Sequence, residues 1–119
     1  MRAVFAHDAV VAMAEDGDVR APGGAITVAL CGHWDHEPPC PLAPHHTAAE
    51  RDGDAVRLRV LFAAEPEDEP EVRHRIDEAL GQGQLTGPDG VLSRWRVVSS
   101  AAGAVRPDEA DHGRRLSAS

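Results

Sequence analysis

Apolar and polar residues alternate most clearly in the segment AVRLRVLF, residues 55–62. In an extended chain, successive side chains point to opposite faces, so this segment has one apolar face and one basic face. The apolar face carries Val56, Leu58, Val60 and Phe62. Arg57 and Arg59 lie on the other face. The pattern predicts a β-strand that packs one side on a core.

Two other strands are predicted before this one. Residues 4–13 (VFAHDAVVAM) are apolar and rich in valine, which favours extended structure. Residues 15–24 (EDGDVRAPGG) have the composition of a turn region. Alternation resumes at Ala25 and predicts a second strand. Its two faces would carry Ile26, Val28 and Leu30 on the apolar side, and Thr27, Ala29, Cys31 and His33 on the other.

The period changes to that of a helix in PEDEPEVRHRIDEALGQG, residues 66–83. Val72, Ile76 and Leu80 recur every four residues and form an apolar stripe. Acidic residues and prolines crowd the first turn, where both are favourable, and Gly81 is placed to end the helix.

A turn, GPDG, then leads into a last predicted strand, VLSRWRVVSS, residues 91–100. Trp95 and Val97 share one face of this strand, and Arg94 and Arg96 share the other.

These elements predict an α+β fold with one domain over residues 1–104. The expected architecture is a small, mostly antiparallel sheet of about four strands, with one helix packed on one face. A long loop, about residues 32–54, separates the second and third strands. Residues 105–119 show no hydrophobic periodicity and predict a flexible tail.

The charge balance restricts the possible partners. The chain has 119 residues, a net charge of −8 and no lysine. Nucleic acids and anionic membrane surfaces both require a basic surface, so neither is an expected partner. The absence of lysine excludes Schiff-base chemistry. The N-terminus lacks the features of a secretory signal, and no apolar stretch is long enough for a membrane span, so we expect a cytoplasmic protein with reduced thiols.

The predicted loop contains an unusual concentration of metal-binding residue types. Its sequence, CGHWDHEPPCPLAPHHT, carries six sulfur or imidazole donors within residues 31–46. They are Cys31, His33, His36, Cys40, His45 and His46. Four prolines limit the freedom that this segment loses when it closes on an ion. Zinc accepts four Cys and His ligands in a tetrahedron, so the cluster predicts one bound transition-metal ion, most simply Zn²⁺, with copper as the second choice.

The ligand set favoured by the spacing is Cys31, His36, Cys40 and one of His45 or His46, with His33 as a spare or supporting group. Two other interpretations remain open, a Cys31–Cys40 disulfide and a polar loop without metal. Four protein ligands would make the ion structural, whereas three would leave a position for water and for catalysis.

The arginines form a second feature. Arg57, Arg59, Arg94 and Arg96 all fall on the outer faces of predicted strands. If those strands are neighbours, the four guanidinium groups form a surface suited to a carboxylate or a phosphate, and the metal loop folds over it.

The expected function is therefore a small metal-binding accessory or regulatory domain that engages a protein partner or a small anionic ligand. Two alternatives are a small metalloenzyme with an open Cys/His site beside the arginines, and a protein that handles copper or zinc as cargo. The sequence contains no phosphate-binding glycine loop and no catalytic serine or zinc-protease motif.

Overall fold

A computed structural model describes residues 2–31 and 43–118 and contains a curled, antiparallel, five-stranded sheet with three helices. The strands are β1 (Ala3–Met13), β2 (His45–Asp52), β3 (Ala55–Ala64), β4 (Gln84–Thr86) and β5 (Leu92–Gly103). The helices are α1 (Ala21–Cys31), α2 (Glu69–Gly81) and α3 (Ala110–Ser117). Short 3-10 turns, Pro66–Asp68 and Pro107–Glu109, precede α2 and α3. The α+β class is confirmed, with more elements than the sequence predicts.

The sheet has the strand order β2-β3-β1-β5-β4. β1 lies at its centre and pairs with β3 on one side and with β5 on the other, both antiparallel. The order β1, α1, β2, β3, α2, β5 is that of a split βαβ, or ferredoxin-like, arrangement, to which β4 adds a short hairpin.

One core lies between the sheet and the two helices α1 and α2. It is built from alternate residues of β1 and β3 and from the apolar stripes of the two helices. The strand residues Val56, Leu58, Val60 and Phe62 are all buried, as their alternation predicts. On α2, Val72, Ile76, Ala79 and Leu80 are buried, which confirms the predicted helical stripe.

The second predicted strand is wrong, because residues 21–31 form helix α1. Ile26 and Leu30, assigned to one face of a strand, are also spaced by one helical turn, so the short apolar run fits both structures. Ala21, Pro22 and Ala25 are buried too, and this i, i+4 pattern extends through the segment that reads as a turn. Val28 is only half-buried, as expected for a helix that rotates it away from Ile26.

The long loop between the second and third strands is shorter than predicted. Its second half, from His45 to Asp52, is strand β2, which pairs residue by residue with β3. β2 is an edge strand with most side chains exposed, so it has no apolar alternation by which to recognise it. Gly53, with a φ of +64°, makes the tight turn to β3.

The C-terminal half contains two further differences. The predicted last strand is confirmed as β5, and β4 pairs with its first residues. Helix α2 ends at Gly81, as predicted, and Gly83 takes the positive φ of +71°. Residues 107–117, predicted as flexible tail, form a 3-10 turn and α3, and Gly113 is buried against Val4 on the outer face of the sheet.

Among the described residues, no helix is long and apolar enough to cross a membrane.

Candidate functional site

The structure describes three of the six predicted metal ligands, at the two ends of the Cys/His segment. Cys31 is the last residue of α1, and His45 and His46 are the first two residues of β2. His33, His36 and Cys40 lie outside the described residues. In the parts of the chain that the structure describes, no three His, Cys, Asp or Glu side chains are gathered as a metal site.

His45 faces helix α1. Its Nε2 atom lies 3.0 Å from the hydroxyl oxygen of Thr27, and its Nδ1 atom lies 3.2 Å from the carbonyl oxygen of Ala43. Thr27 precedes Cys31 by four residues, about 6 Å along the helix axis. The contact between Thr27 and His45 therefore brings the end of α1 and the start of β2 together.

His46 points to the opposite face of the sheet, because neighbouring residues of a strand alternate. Its ring centroid lies 4.8 Å from that of His112 in α3. Burial, and next the neighbouring His46, lower the pKa of His112 below its ordinary value. The two adjacent histidines of β2 therefore cannot serve one ion together, and only His45 faces α1.

A cleft of about 510 Å³ lies beside His45. Its lining includes Gly23, Thr27 and Thr47, and Arg20 at the start of α1. Gly23 packs closely on Thr47, where a Cβ atom would lie 3.3 Å from the threonine methyl group. The small residues of α1 thus allow the helix to approach β2 at this point.

The four predicted arginines lie on the outer face of the sheet, but they do not form one cluster. Arg57 and Arg59 are on β3, Arg94 and Arg96 are on β5, and β1 lies between these strands. The condition that the two strands are neighbours is therefore not met. The outer face is also opposite α1, so the described start of the Cys/His segment does not lie over the arginines.

Two of these arginines are already paired with acids. Arg57 donates to Asp52 at 2.7 Å. Arg59 donates to Asp8 at 2.9 Å and to Glu109 at 2.6 Å, and also to the carbonyl of Ala104. The hydrogen bonds that Arg59 donates to Glu109 and then to Asp8 raise the pKa of Arg59, and the Arg59 guanidinium lowers the pKa of Glu109 to about 2. Arg59 therefore fastens the turn before α3 to the sheet.

A polar network that the sequence does not predict joins β1, β5 and α2. His7 is only 3% exposed, and its Nε2 atom lies 2.7 Å from the hydroxyl of Ser100. Ser100 donates to Asp77 of α2 at 2.5 Å. Arg73 donates to the Nδ1 atom of His7 at 3.0 Å and to the carbonyl of Ala6 at 2.9 Å.

The donor at Arg73 determines the tautomer of His7. Because a guanidinium only donates, Nδ1 of His7 accepts, and a neutral ring carries its proton on Nε2 and donates it to Ser100. His7 is then not a base for the Ser100 hydroxyl, which is a different arrangement from that of a catalytic serine. Burial, and also Arg73, lower the pKa of His7, while Asp77 opposes them. The one sequence signal for this network is that His7 falls on the same face of β1 as the core residues Ala9 and Val11.

Comparisons with protein-family models, with curated proteins and with solved structures find no match to this chain.

Proposed function

We propose that this protein is a small metal-binding accessory domain in which one ion, most simply Zn²⁺, links the end of α1 to the start of β2. The ligands in this proposal are Cys31, His36, Cys40 and His45, with His33 in a supporting role. The observation that carries it is the 3.0 Å contact between His45 and Thr27, which closes the two ends of the Cys/His segment toward each other.

The surroundings of His45 suit a ligand. Metal-bound histidines usually donate their second ring N–H to a carbonyl or carboxylate, which orients the ring. The carbonyl of Ala43 lies where it can accept a hydrogen bond from Nδ1. Nε2 then faces the hydroxyl oxygen of Thr27 at 3.0 Å, and in this proposal the ion replaces that contact. Two thiolates and two imidazoles are a common closed set for zinc.

The low aromatic content of the chain gives such an ion a structural purpose. Only 3% of the residues are aromatic, so the core is built mainly from alanine, valine and leucine. The edge strand β2 has no fully buried side chain, so an ion that joins it to α1 would stabilise a weakly packed part of the fold. A cytoplasmic location, where thiols stay reduced, belongs to this proposal.

The arginine geometry affects the choice of ligand. Arg57 and Arg59 are paired with acids, so an anionic ligand would find Arg94 and Arg96, which are exposed on β5. Arg94 and Arg96 lie on the face of the sheet opposite α1. This separation favours a structural ion, because an open metal site near α1 could not act on a substrate bound by these arginines. The alternatives are a metalloenzyme and a metal-cargo protein.

The test is elemental analysis of tag-free protein, combined with thermal melting before and after chelation. The proposal expects about one zinc per chain, and a lower Tm when the ion is removed. An ion that leaves without any change in Tm would support cargo. Protein that lacks metal after purification with zinc, or that contains a Cys31–Cys40 disulfide, would exclude the proposal.

A further inference from the structure

In the part of the chain that the structure describes, one edge of the sheet is open along most of β5. On one side, residues Trp95 to Gly103 of β5 pair with β1. On the other side, β4 pairs only with residues 92–94 of β5. In an antiparallel ladder, alternate residues direct their N–H and C=O groups away from the paired strand. Among the described residues, none hydrogen-bonds to the outward backbone groups of residues 96–103.

The open edge of β5 lacks the features that normally prevent strand pairing. Edge strands are commonly protected by charges, by proline or by being short. At the opposite edge of the sheet, β2 carries Glu50, Arg51 and Asp52. Residues 97–103 read VVSSAAG, with no charge and no proline, and the side chain of Val98 is 57% exposed. This segment is therefore suited to receive another strand.

The sequence of this edge is complementary to itself when it runs antiparallel. Its first half has larger side chains, those of Arg96, Val97 and Val98, and its second half has Ala101, Ala102 and Gly103. Two copies paired about a two-fold axis at Ser100 place each large residue opposite a small one. The two Arg96 side chains then lie at opposite ends of the pairing, so their charges do not meet.

The bulge in β5 agrees with this register. β1 pairs Val10 with Ser99 and Val11 with Val97, so Val98 is the additional residue. Val97, Ser100 and Ala102 consequently face the helices. With Ser100 on the axis, Val97 lies opposite Ala102 of the partner subunit, and both face the same side of the joined sheet. The bulged Val98 and Ser99 lie together opposite Ala101 of the partner subunit, again on one side.

We propose that β5 pairs with β5 of a second copy and forms one continuous sheet through a homodimer. Pairing of an edge with itself closes after two chains, whereas pairing of β5 with β2 would continue without end and would meet the charges of β2. Helix α3 does not obstruct the edge, because Gly113 packs on Val4 and Arg59 binds Glu109, over β1 and β3. This inference is independent of the metal.

Sedimentation equilibrium of the full chain over a wide concentration range tests the dimer. We expect the mass to change from one chain to two, and Val98→Lys, which places a charge on the exposed edge, to weaken association by about tenfold or more. Ala101→Lys tests the facing position and should act in the same direction. The matched control is Ala49→Lys, an exposed alanine on β2, which should associate like wild type.

Amide hydrogen exchange locates the interface in the unmodified protein. Residues 96–103 should exchange more slowly at high than at low concentration, and β2 should not change. A chain that is monomeric at every concentration would overturn the proposal. So would a dimer that both β5 variants leave intact, or one that Ala49→Lys disrupts as strongly as Val98→Lys.

Discussion

The Nε2 atom of His7 lies 2.7 Å from the hydroxyl oxygen of Ser100, although 93 residues separate them in the sequence. This contact joins the central strand β1 to β5, and Ser100 continues it to Asp77 of α2. Because His7 is buried, its ring nitrogens need partners inside the protein. Arg73 and Ser100 supply one partner each, so each link in the network has a predictable cost when it is removed.

We expect Ser100→Ala to lower the free energy of unfolding by roughly 1–3 kcal/mol, because it removes the acceptor 2.7 Å from a buried imidazole N–H and leaves only the more distant Asp77 oxygen at 3.5 Å. The control is Ser99→Ala, which removes an exposed hydroxyl next to it and should change stability by less than about 0.5 kcal/mol. Chemical denaturation at neutral pH, at a protein concentration low enough to avoid association, measures both. Equal effects of the two substitutions would contradict the structural role of Ser100.

The lowered pKa of His7 makes stability depend on pH in a definite direction. Folded His7 stays neutral at pH values where an unfolded histidine, with an ordinary pKa of 6.5, is protonated. The unfolded state then binds more protons, so the contribution of His7 is complete above about pH 6.5 and is lost as the pH falls through its lower, folded pKa. NMR titration of the ring should give a midpoint below 6.5, and His7→Gln should flatten this part of the stability profile. A midpoint at or above 6.5 would be inconsistent with the structure.

Much of the fold can be predicted from the hydrophobic period alone. The elements that cannot be predicted in this way lack a distinct apolar face. β3 and α2 each bury one face and expose the other, so their periods are unambiguous. β2 has no fully buried side chain on either face, which leaves no apolar period to detect. The segment that becomes α1 is apolar on nearly all sides, so Ile26 and Leu30 suit either a strand or a helix. Its contacts in the core favour the helix, and these are tertiary interactions.

The candidate site shows the same limit. His45 and His46 are adjacent in the sequence, but successive residues of a strand point to opposite faces of the sheet. This difference can be predicted only if residues 45–52 are recognised as a strand. The outer position of Arg57 and Arg59 follows from alternation, whereas the acids that pair with Arg59 come from β1 and from the turn before α3. Contacts between such distant segments are set by topology, which the local pattern does not contain.

The ion pair between Arg59 and Glu109 should control the attachment of α3. Both side chains are largely buried, and the Arg59 guanidinium lowers the pKa of Glu109 to about 2 from an ordinary 4.5. The stabilisation is therefore complete above about pH 4.5 and is lost as the pH falls toward 2. Glu109→Gln at neutral pH should mimic that loss and speed amide exchange in α3 by about tenfold or more.

Asp108→Asn is the matched control for Glu109→Gln, since Asp108 is the exposed neighbour in the same turn. It removes the same charge but no bond to Arg59, and α3 should exchange at the wild-type rate. If α3 is released equally by both changes, the attachment depends on helix electrostatics in general, and the bond to Arg59 has no special part in it.

The two adjacent histidines of β2 should differ in their effect on metal binding. His45 faces α1 and contacts Thr27, whereas His46 packs on His112 on the other face, so only His45 can join the ion proposed at the end of α1. Loss of a supporting partner alone typically weakens metal binding 10–100-fold, so His45→Ala should weaken zinc binding by more than about 100-fold. His46→Ala should bind zinc like wild type. Competition with a chromophoric chelator measures both affinities, and a loss caused by His46→Ala alone would place the ion on the wrong face of the sheet for this proposal.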